Sequence, residues 1–349
     1  MFLQILRKTA LRWSLFIFRE NLRGEEMKRI LLLFLAVSML LMTGCASKQS
    51  TPATKKVQVA VSIYPLAEFV RAVGGEKVQV NTLVPAGVEA HSYELSATDM
   101  KTITQAQVFV YNGGGMESWA DKVEQSLKDK PVKILQAGKG LFVKLDEEHQ
   151  HDEHKDEHKH EEHKHETGHV HDHGGFDPHV WLDPVLASKQ VAAISETLQA
   201  ADPTNREYYQ KNAAAYQAEL NKLDQEFKAM RAQAKQDAFV TTHSAFGSLA
   251  KRYDLHQIAI MGITPNVEPT PQALANLINL VKKEQIKYIF FEELVSPKVA
   301  QTIAAEAGVK TLVLNPVEGL TKTQQEKKVT YLELMRQNIA NLKIALENK

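Results

Sequence analysis

Short runs of β-branched and aromatic residues alternate with amphipathic segments along most of the chain, from about residue 57 onward. This alternation is typical of βαβ units and predicts a parallel sheet covered by helices. The predicted strands of the first half are residues 57–63, 78–84, 108–111 and 132–135. The helical patterns between them cover residues 66–73, 99–106 and 119–127, and a last helix follows Pro184. Together these elements predict one α/β lobe at residues 57–201.

A longer amphipathic pattern follows this lobe. Asp202 and Pro203 form a helix cap and first-turn pair, and neither proline nor glycine recurs before Gly247. Apolar side chains recur at spacings of four and three: Tyr209, Ala213, Tyr216, Leu220, Leu223, Phe227 and Met230. The pattern predicts a single linking helix at residues 202–236, about 48 Å long over residues 203–234. A helical hairpin or a coiled-coil seam is the alternative, but the apolar stripe lacks strong core residues at several positions.

A second alternating set of elements follows the helix, within residues 237–349. Its predicted strands are residues 238–242, 288–291 and 311–314. Three helices are predicted in this half. The first has Leu274, Leu277, Ile278 and Val281 on its inner face, and the second covers residues 299–307. The third ends the chain and has on one face Leu332, Met335, Ile339, Leu342 and Leu346. The expected fold class is therefore α/β, with two α/β lobes of parallel sheets joined by one long rigid helix. Open α/β sheets bind ligands beyond the carboxyl ends of their strands, so the expected site is a cleft between the lobes.

The first 44 residues have the features of an export signal. Lys28 and Arg29 precede a predominantly apolar segment, residues 30–42, which is shorter than the ~20 residues needed to span a bilayer. Gly44 and Cys45, followed by a polar stretch, resemble a bacterial lipobox, which implies cleavage before Cys45 and a lipid on its sulfur. Residues 45–56 would then be a lipid-anchored tether on the extracytoplasmic face of the cell membrane. A buried cysteine in an ordinary signal anchor is the alternative.

The translation start is also open. Arginines interrupt the apolar residues before Met27, which suggests that Met27 is the true start, and an unusually long basic leader is the alternative.

Composition excludes several classes of protein. The chain has 349 residues with 42 basic and 42 acidic side chains, and a formal charge of zero argues against a nucleic-acid binder that works by counterion release. The single cysteine excludes an internal disulfide and a cysteine-rich zinc finger. The neutrality arises from local cancellation, because residues 1–44 are basic and residues 149–173 are acidic.

Ten of the 14 histidines lie in a predicted histidine-rich loop at residues 145–175. They are His149, His151, His154, His158, His160, His163, His165, His169, His171 and His173. The surrounding residues are too polar to form a core. Imidazoles favour zinc, copper and nickel over magnesium and calcium, so we predict auxiliary metal capture by this loop, with a merely solvated loop as the alternative. The His-Glu-x-x-His pattern at residues 165–169 lacks an apolar helical flank and contains Gly168, which argues against a metalloprotease.

Three of the other histidines lie where predicted strands or loops meet helices. His91 follows the strand at residues 78–84, His179 precedes a helix, and His243 ends the strand at residues 238–242. Their distribution over both lobes is what a metal ion bound in the cleft requires. His256 has no such placement, and we interpret it as structural or solvent-facing.

Five segments resemble those of zinc-binding solute-binding lipoproteins of bacterial ABC importers. They are residues 87–93, 177–184, 242–253, 262 onward, and 314–320. The resemblance covers nearly all of residues 57–349. It implies two α/β lobes joined by a rigid helix, with one metal ion in the cleft held by two groups from each lobe.

The resemblance also implies the ligand set. It assigns His91 and His179 to the first lobe and His243 and an acid to the second. The acid belongs to the loop after the last strand, which indicates Glu318. Glu292 and Glu293 are the alternatives, and Glu292 suits a supporting carboxylate better than a ligand.

Three imidazoles and one carboxylate suit tetrahedral Zn²⁺ as a transported ligand, whereas manganese-binding relatives tend to carry a carboxylate in place of the third histidine. A closed four-ligand set implies a carrier and not an enzyme. The implied partners are a membrane permease and a separate ATPase subunit, since the sequence has no phosphate-loop motif. We expect the protein to be a monomer that does not bind nucleic acid. The alternatives are a manganese- or iron-binding importer component, a metal-dependent surface adhesin and a zinc-dependent hydrolase.

Overall fold

The computed structural model describes residue 29 and residues 56–144, 175–265 and 269–347. The fold below is that of the compact unit within residues 55–349. Most of the predicted export signal and of the tether, together with Cys45 and the ten histidines of the predicted loop, lies outside the described residues. No helix within the described ranges is both long enough and apolar enough to cross a bilayer.

The N-terminal lobe contains a four-stranded parallel sheet. Its strands are β1 (Val57–Val61), β2 (Val78–Thr82), β3 (Val108–Tyr111) and β4 (Lys133–Gln136), in the order β2-β1-β3-β4. Its helices are α1 (Tyr64–Gly74), α2 (Ala97–Gln105), α3 (Ala120–Leu127) and α4 (Pro184–Ala201). The central strands β1 and β3 are almost wholly buried, as expected for a parallel sheet covered on both faces.

Two short strands lie between β4 and α4. They are β5 (Val143–Lys144) and β6 (Phe176–Asp177), which pair in the antiparallel direction. A 3-10 turn, Val180–Leu182, then leads into α4, whose first turn is capped by the Asp183 carboxylate.

The C-terminal lobe repeats the strand order of the first. Its strands are β7 (Ala238–Thr241), β8 (His256–Ala259), β9 (Tyr288–Phe291) and β10 (Lys310–Val313), in the order β8-β7-β9-β10. All the strand pairs of both four-stranded sheets are parallel. The helices are α6 (Gly247–Tyr253), α7 (Pro271–Lys283), α8 (Lys298–Ala307), α9 (Lys322–Glu326) and α10 (Tyr331–Glu347). In each lobe the second strand lies on one side of the first strand and the third strand lies on the other side, so the connections run in opposite directions. Ligands of such sheets bind beyond the carboxyl ends of the strands at this point.

Helix α5 (Arg206–Gln233) connects the lobes and is about 42 Å long at ~1.5 Å per residue. A 3-10 turn, Pro203–Asn205, precedes it. The helix contacts α1 and α4 of the N-terminal lobe and α6 and α10 of the C-terminal lobe. Six of the seven predicted stripe residues are buried, and Tyr216 is partly buried. A single hydrophobic core contains α5 together with residues from both sheets, such as Val59 and Phe290.

The fold-class prediction is confirmed, with local differences. The strand at residues 288–291 has the predicted bounds, whereas the long helix begins later and ends earlier than its predicted bounds. Strand β8 was not predicted, because it begins with the polar residues His256 and Gln257 and lies at the edge of its sheet. Strands β5 and β6 have two residues each, which is too short for a periodic pattern.

Candidate metal centre

His91 lies in the loop after β2. The Glu89 carboxylate accepts hydrogen bonds from the backbone N–H groups of His91, at 2.6 Å, and of Ser92, at 2.9 Å. This local turn fixes the backbone from which the imidazole projects. The His91 side chain is almost completely buried.

His179 lies between β6 and the 3-10 turn that precedes α4. Asp177 Oδ1 accepts hydrogen bonds from the backbone N–H of His179, at 2.9 Å, and from His179 Nδ1, at 2.8 Å. Asn112, at the end of β3, donates its side-chain amide to the carbonyl of Pro178 at 2.9 Å. The loop is therefore held from the carboxyl end of a central strand, and His179 Nε2 is directed away from Asp177.

His243 lies just beyond the end of β7, and Glu292 follows the neighbouring strand β9. The two strands are adjacent where the sheet order reverses. Glu292 Oε1 accepts the backbone N–H of His243 at 3.1 Å, and Glu292 Oε2 lies 2.7 Å from His243 Nδ1. A carboxylate on the distal ring nitrogen orients a ligating imidazole and raises its basicity.

Glu318 lies in the loop after β10, which is held by hydrogen bonds from several sides. Asn315 Oδ1 accepts the backbone N–H of Val317 at 2.7 Å, and Asn338 in α10 bonds both the N–H and the carbonyl of Asn315. Val317 is fully buried with a φ of +57°, a conformation that costs a β-branched residue about 1–3 kcal/mol. Tyr64 of the N-terminal lobe donates its N–H to the Glu318 carbonyl at 3.2 Å. The surrounding contacts compensate for the strain and direct the carboxylate into the cluster.

The four side chains converge on one point between the lobes. Glu318 Oε1 lies 3.2 Å from His179 Nε2, 3.4 Å from His243 Nε2 and 3.6 Å from His91 Nε2. The Nε2 atoms of His91 and His179 are 3.1 Å apart. A tetrahedral zinc ion with bonds of ~2 Å separates its ligand atoms by about 3.3 Å. All four donor atoms lie within 4.8 Å of one another, so the cluster has nearly the size of a zinc coordination sphere.

The electrostatics of the cluster favour a cation. Burial alone would lower the pKa of His243, but Glu292 and Glu318 raise it to about 10. Burial likewise opposes the raised pKa of His179, which Asp177 and Glu318 produce. For Glu318 burial would raise the pKa, yet the neighbouring histidines hold it well below its usual value. The Glu318 carboxylate therefore stays ionised, and protons and metal ions compete for the same imidazole nitrogen atoms.

Further carboxylates lie beside the cluster. A small cavity is lined by Glu89 of the N-terminal lobe and by Glu292, Glu293 and Glu318 of the C-terminal lobe. Negative charge on both sides of such a cavity raises the local concentration of cations.

The structure brings His91, His179, His243 and Glu318 together, and this is the one group of potential metal ligands found in the part of the chain that is described. Glu292 contacts His243, whereas Glu293 accepts hydrogen bonds from Asn315 and Gln324 instead. His256 is exposed on strand β8. Sequence reasoning gave no role to Asp177, although its position two residues before His179 is a signal for a supporting carboxylate.

A buried cluster of three imidazoles and one carboxylate between two α/β lobes defines a binding protein for a transition-metal ion. The chain belongs to the family described as zinc-uptake complex component A, periplasmic (ZnuA), whose profile matches residues 59–345. This family comprises substrate-binding transport proteins and not enzymes.

Similar proteins include the zinc-binding protein AdcA of Streptococcus pyogenes serotype M3, which is 39% identical over 322 residues. That match covers 92% of this chain but 62% of AdcA, so the chain spans less than two thirds of the streptococcal relative. The high-affinity zinc uptake system protein ZnuA of Bacillus subtilis is 39% identical over 319 residues, which cover 90% of this chain and 97% of that protein. The crystal structure of the Zn(II)-bound ZnuA-like domain of Streptococcus pneumoniae AdcA matches with a TM-score of 0.70 and 39% identity, covering 84% of this chain and 100% of that domain.

Proposed function

We propose that this protein is the extracytoplasmic zinc-binding component of an ABC importer, which captures Zn²⁺ and delivers it to a membrane permease. The observation that carries the proposal is the convergence of three Nε2 atoms and one carboxylate oxygen at separations close to the edges of a zinc tetrahedron. The names of the relatives in Streptococcus and Bacillus, which refer to zinc binding and zinc uptake, support it.

In this proposal His91, His179, His243 and Glu318 are the zinc ligands, two from each lobe. Glu292 and Asp177 orient two of the imidazoles through their Nδ1 atoms. A set with three nitrogen donors favours zinc over manganese, which prefers harder oxygen ligands. With four protein ligands the ion has no open position at which to activate water, which fits a carrier.

The remaining parts of the proposal concern residues outside the described ranges and the partners of the protein. We propose that a lipid on Cys45 anchors the mature, monomeric protein to the outer side of the membrane. The histidines of residues 149–173 provide weak auxiliary metal capture near the cleft. A permease subunit accepts the ion, and a separate ATPase subunit supplies the energy.

The ligand assignment is tested by calorimetric titration of the metal-stripped protein with Zn²⁺, using a variant lacking residues 149–173 so that loop binding does not obscure the cleft. His91→Ala, His179→Ala and His243→Ala should each weaken the tight site by more than about 100-fold, since loss of even a supporting group costs about 10- to 100-fold. His256→Ala, which removes an exposed imidazole outside the cluster, is the matched control and should bind as the parent does.

Full retention of tight binding in any of the three cleft variants would contradict the ligand set. Competition between Zn²⁺ and Mn²⁺ at the parent site tests the choice of metal. A preference for manganese would support the manganese importer alternative instead.

A further inference from the structure

Asp177 makes contacts that extend beyond the metal cluster. Its side chain is fully buried, and each of its oxygens accepts two hydrogen bonds. Oδ1 bonds the backbone N–H and Nδ1 of His179, as described above. Oδ2 accepts the backbone N–H of Ser248, at 2.7 Å, and its hydroxyl, at 2.8 Å. A carboxylate has about four acceptor positions, so Asp177 is fully used.

The two pairs of donors belong to different lobes. His179 is part of the N-terminal lobe, whereas Ser248 lies in the first turn of α6 in the C-terminal lobe. The approach is close, because a Cβ atom built on Gly247 would lie 3.0 Å from Asp177 Oδ2. Asp177 therefore joins an imidazole of the cluster to a helix of the opposite lobe through one rigid group.

A second polar contact joins the same two regions without touching a histidine of the cluster. Arg252 of α6 donates its Nε to Asp183 Oδ2 at 2.6 Å, and Asp183 caps α4. This ion pair also joins α6 to the N-terminal lobe, but it does so at Asp183 and not at the carboxylate that bonds His179. Substitution of Arg252 therefore removes a contact between the lobes and leaves the hydrogen bonds from His179 to Asp177 in place.

We propose that Asp177 is a positioning residue that couples zinc occupancy to the contact with Ser248 at the start of α6. The proposal rests on the function proposed above. When zinc fixes the His179 imidazole, Asp177 is held in the position that accepts both Ser248 donors, and the Ser248 donors in turn hold Asp177, and through it the imidazole, in the position that binds the metal. Because such coupling is reciprocal, a change at Ser248 alters the retention of a metal ion that it does not touch.

The test measures zinc release from the loaded protein lacking residues 149–173, by stopped-flow transfer to an excess of a chelating dye. Ser248→Ala should release zinc about 3- to 10-fold faster, because one hydrogen bond to a charged, buried group is lost. Asp177→Asn should accelerate release by about 10- to 100-fold, since its amide can accept from only one of the two donor pairs. Arg252→Ala should stay within about twofold of the parent, since the support of His179 is intact.

The double variant Asp177→Asn with Ser248→Ala separates coupling from general loosening. If Ser248 acts through Asp177, the second substitution adds no further acceleration to the first. Unchanged release in Ser248→Ala, equal acceleration in Ser248→Ala and Arg252→Ala, or full additivity in the double variant would each overturn the inference. Failure of the parent protein to bind zinc would instead refute the proposed function, so the two failures are distinguishable.

Discussion

Binding of Zn²⁺ to the cluster should displace protons, and Glu292 should determine how many. In the metal-free protein the pKa of His243 is raised to about 10, so this imidazole is protonated throughout the neutral range. A zinc ligand must be deprotonated, so the ion and the proton compete at His243 below about pH 10 and no longer compete above it. The raised pKa of His179 adds to the effect in the same direction.

The size of the pH dependence of zinc affinity follows from the pKa of His243. For each proton displaced, the apparent affinity changes about tenfold per pH unit, so affinity should rise at least about tenfold between pH 7 and pH 8. Calorimetry in buffers of different ionisation enthalpy should count at least about one proton released per zinc at pH 7. The metal ion therefore binds more tightly as the pH rises, even above the ordinary imidazole pKa of about 6.5.

The variant Glu292→Gln tests whether the Glu292 charge causes the raised pKa of His243. The amide keeps the shape of the side chain but removes the charge that lies 2.7 Å from His243 Nδ1, so the count of released protons should fall by about one. Glu293→Gln is the matched control, because Glu293 bonds Asn315 and Gln324 rather than an imidazole. The reasoning is refuted if zinc affinity is independent of pH between 7 and 8. It is also refuted if Glu292→Gln releases as many protons per zinc as the parent and the Glu293→Gln control do.

Two further predictions concern the Glu318 loop and the histidine-rich segment. Val317→Gly should be at least as stable to urea as Val317→Ala. Both variants lose the buried side chain, but only glycine adopts the φ of +57° without strain. If the glycine variant is instead less stable than the alanine variant by the ordinary ~0.5–1 kcal/mol, position 317 is not strained. Deleting residues 149–173 should lower the number of zinc ions bound per protein, measured by metal analysis, while leaving the tight site intact; loss of tight binding would show that the segment supplies cleft ligands.

The histidines of the cleft could be placed from sequence because each lies at the end of a predicted element. The carboxyl ends of parallel strands meet at one edge of a sheet, so His243 after β7 was expected near the cleft. The choice among Glu292, Glu293 and Glu318 could not be made from the local pattern. It depends on the strand order and on how the loop after β10 turns, and it required the family resemblance.

Other features depend on contacts between residues far apart in sequence. Asp177 acquires its second role from Ser248, which is 71 residues away, so no local pattern indicates it. Val317 illustrates the same limit. A valine in a left-handed conformation contradicts its own backbone preference and is held there by Asn315 and by the loop around it.

The packing of α5 has a consequence for the thermodynamics of metal binding. The helix is buried from Tyr209 to Met230 against helices of both lobes, so separating the lobes about a hinge would expose much of the shared core. We therefore expect the lobes to stay packed together along α5 when zinc binds, so that binding removes little additional apolar surface from water. The heat capacity change of binding should accordingly be small, in contrast to the large negative value of a protein that closes around its ligand.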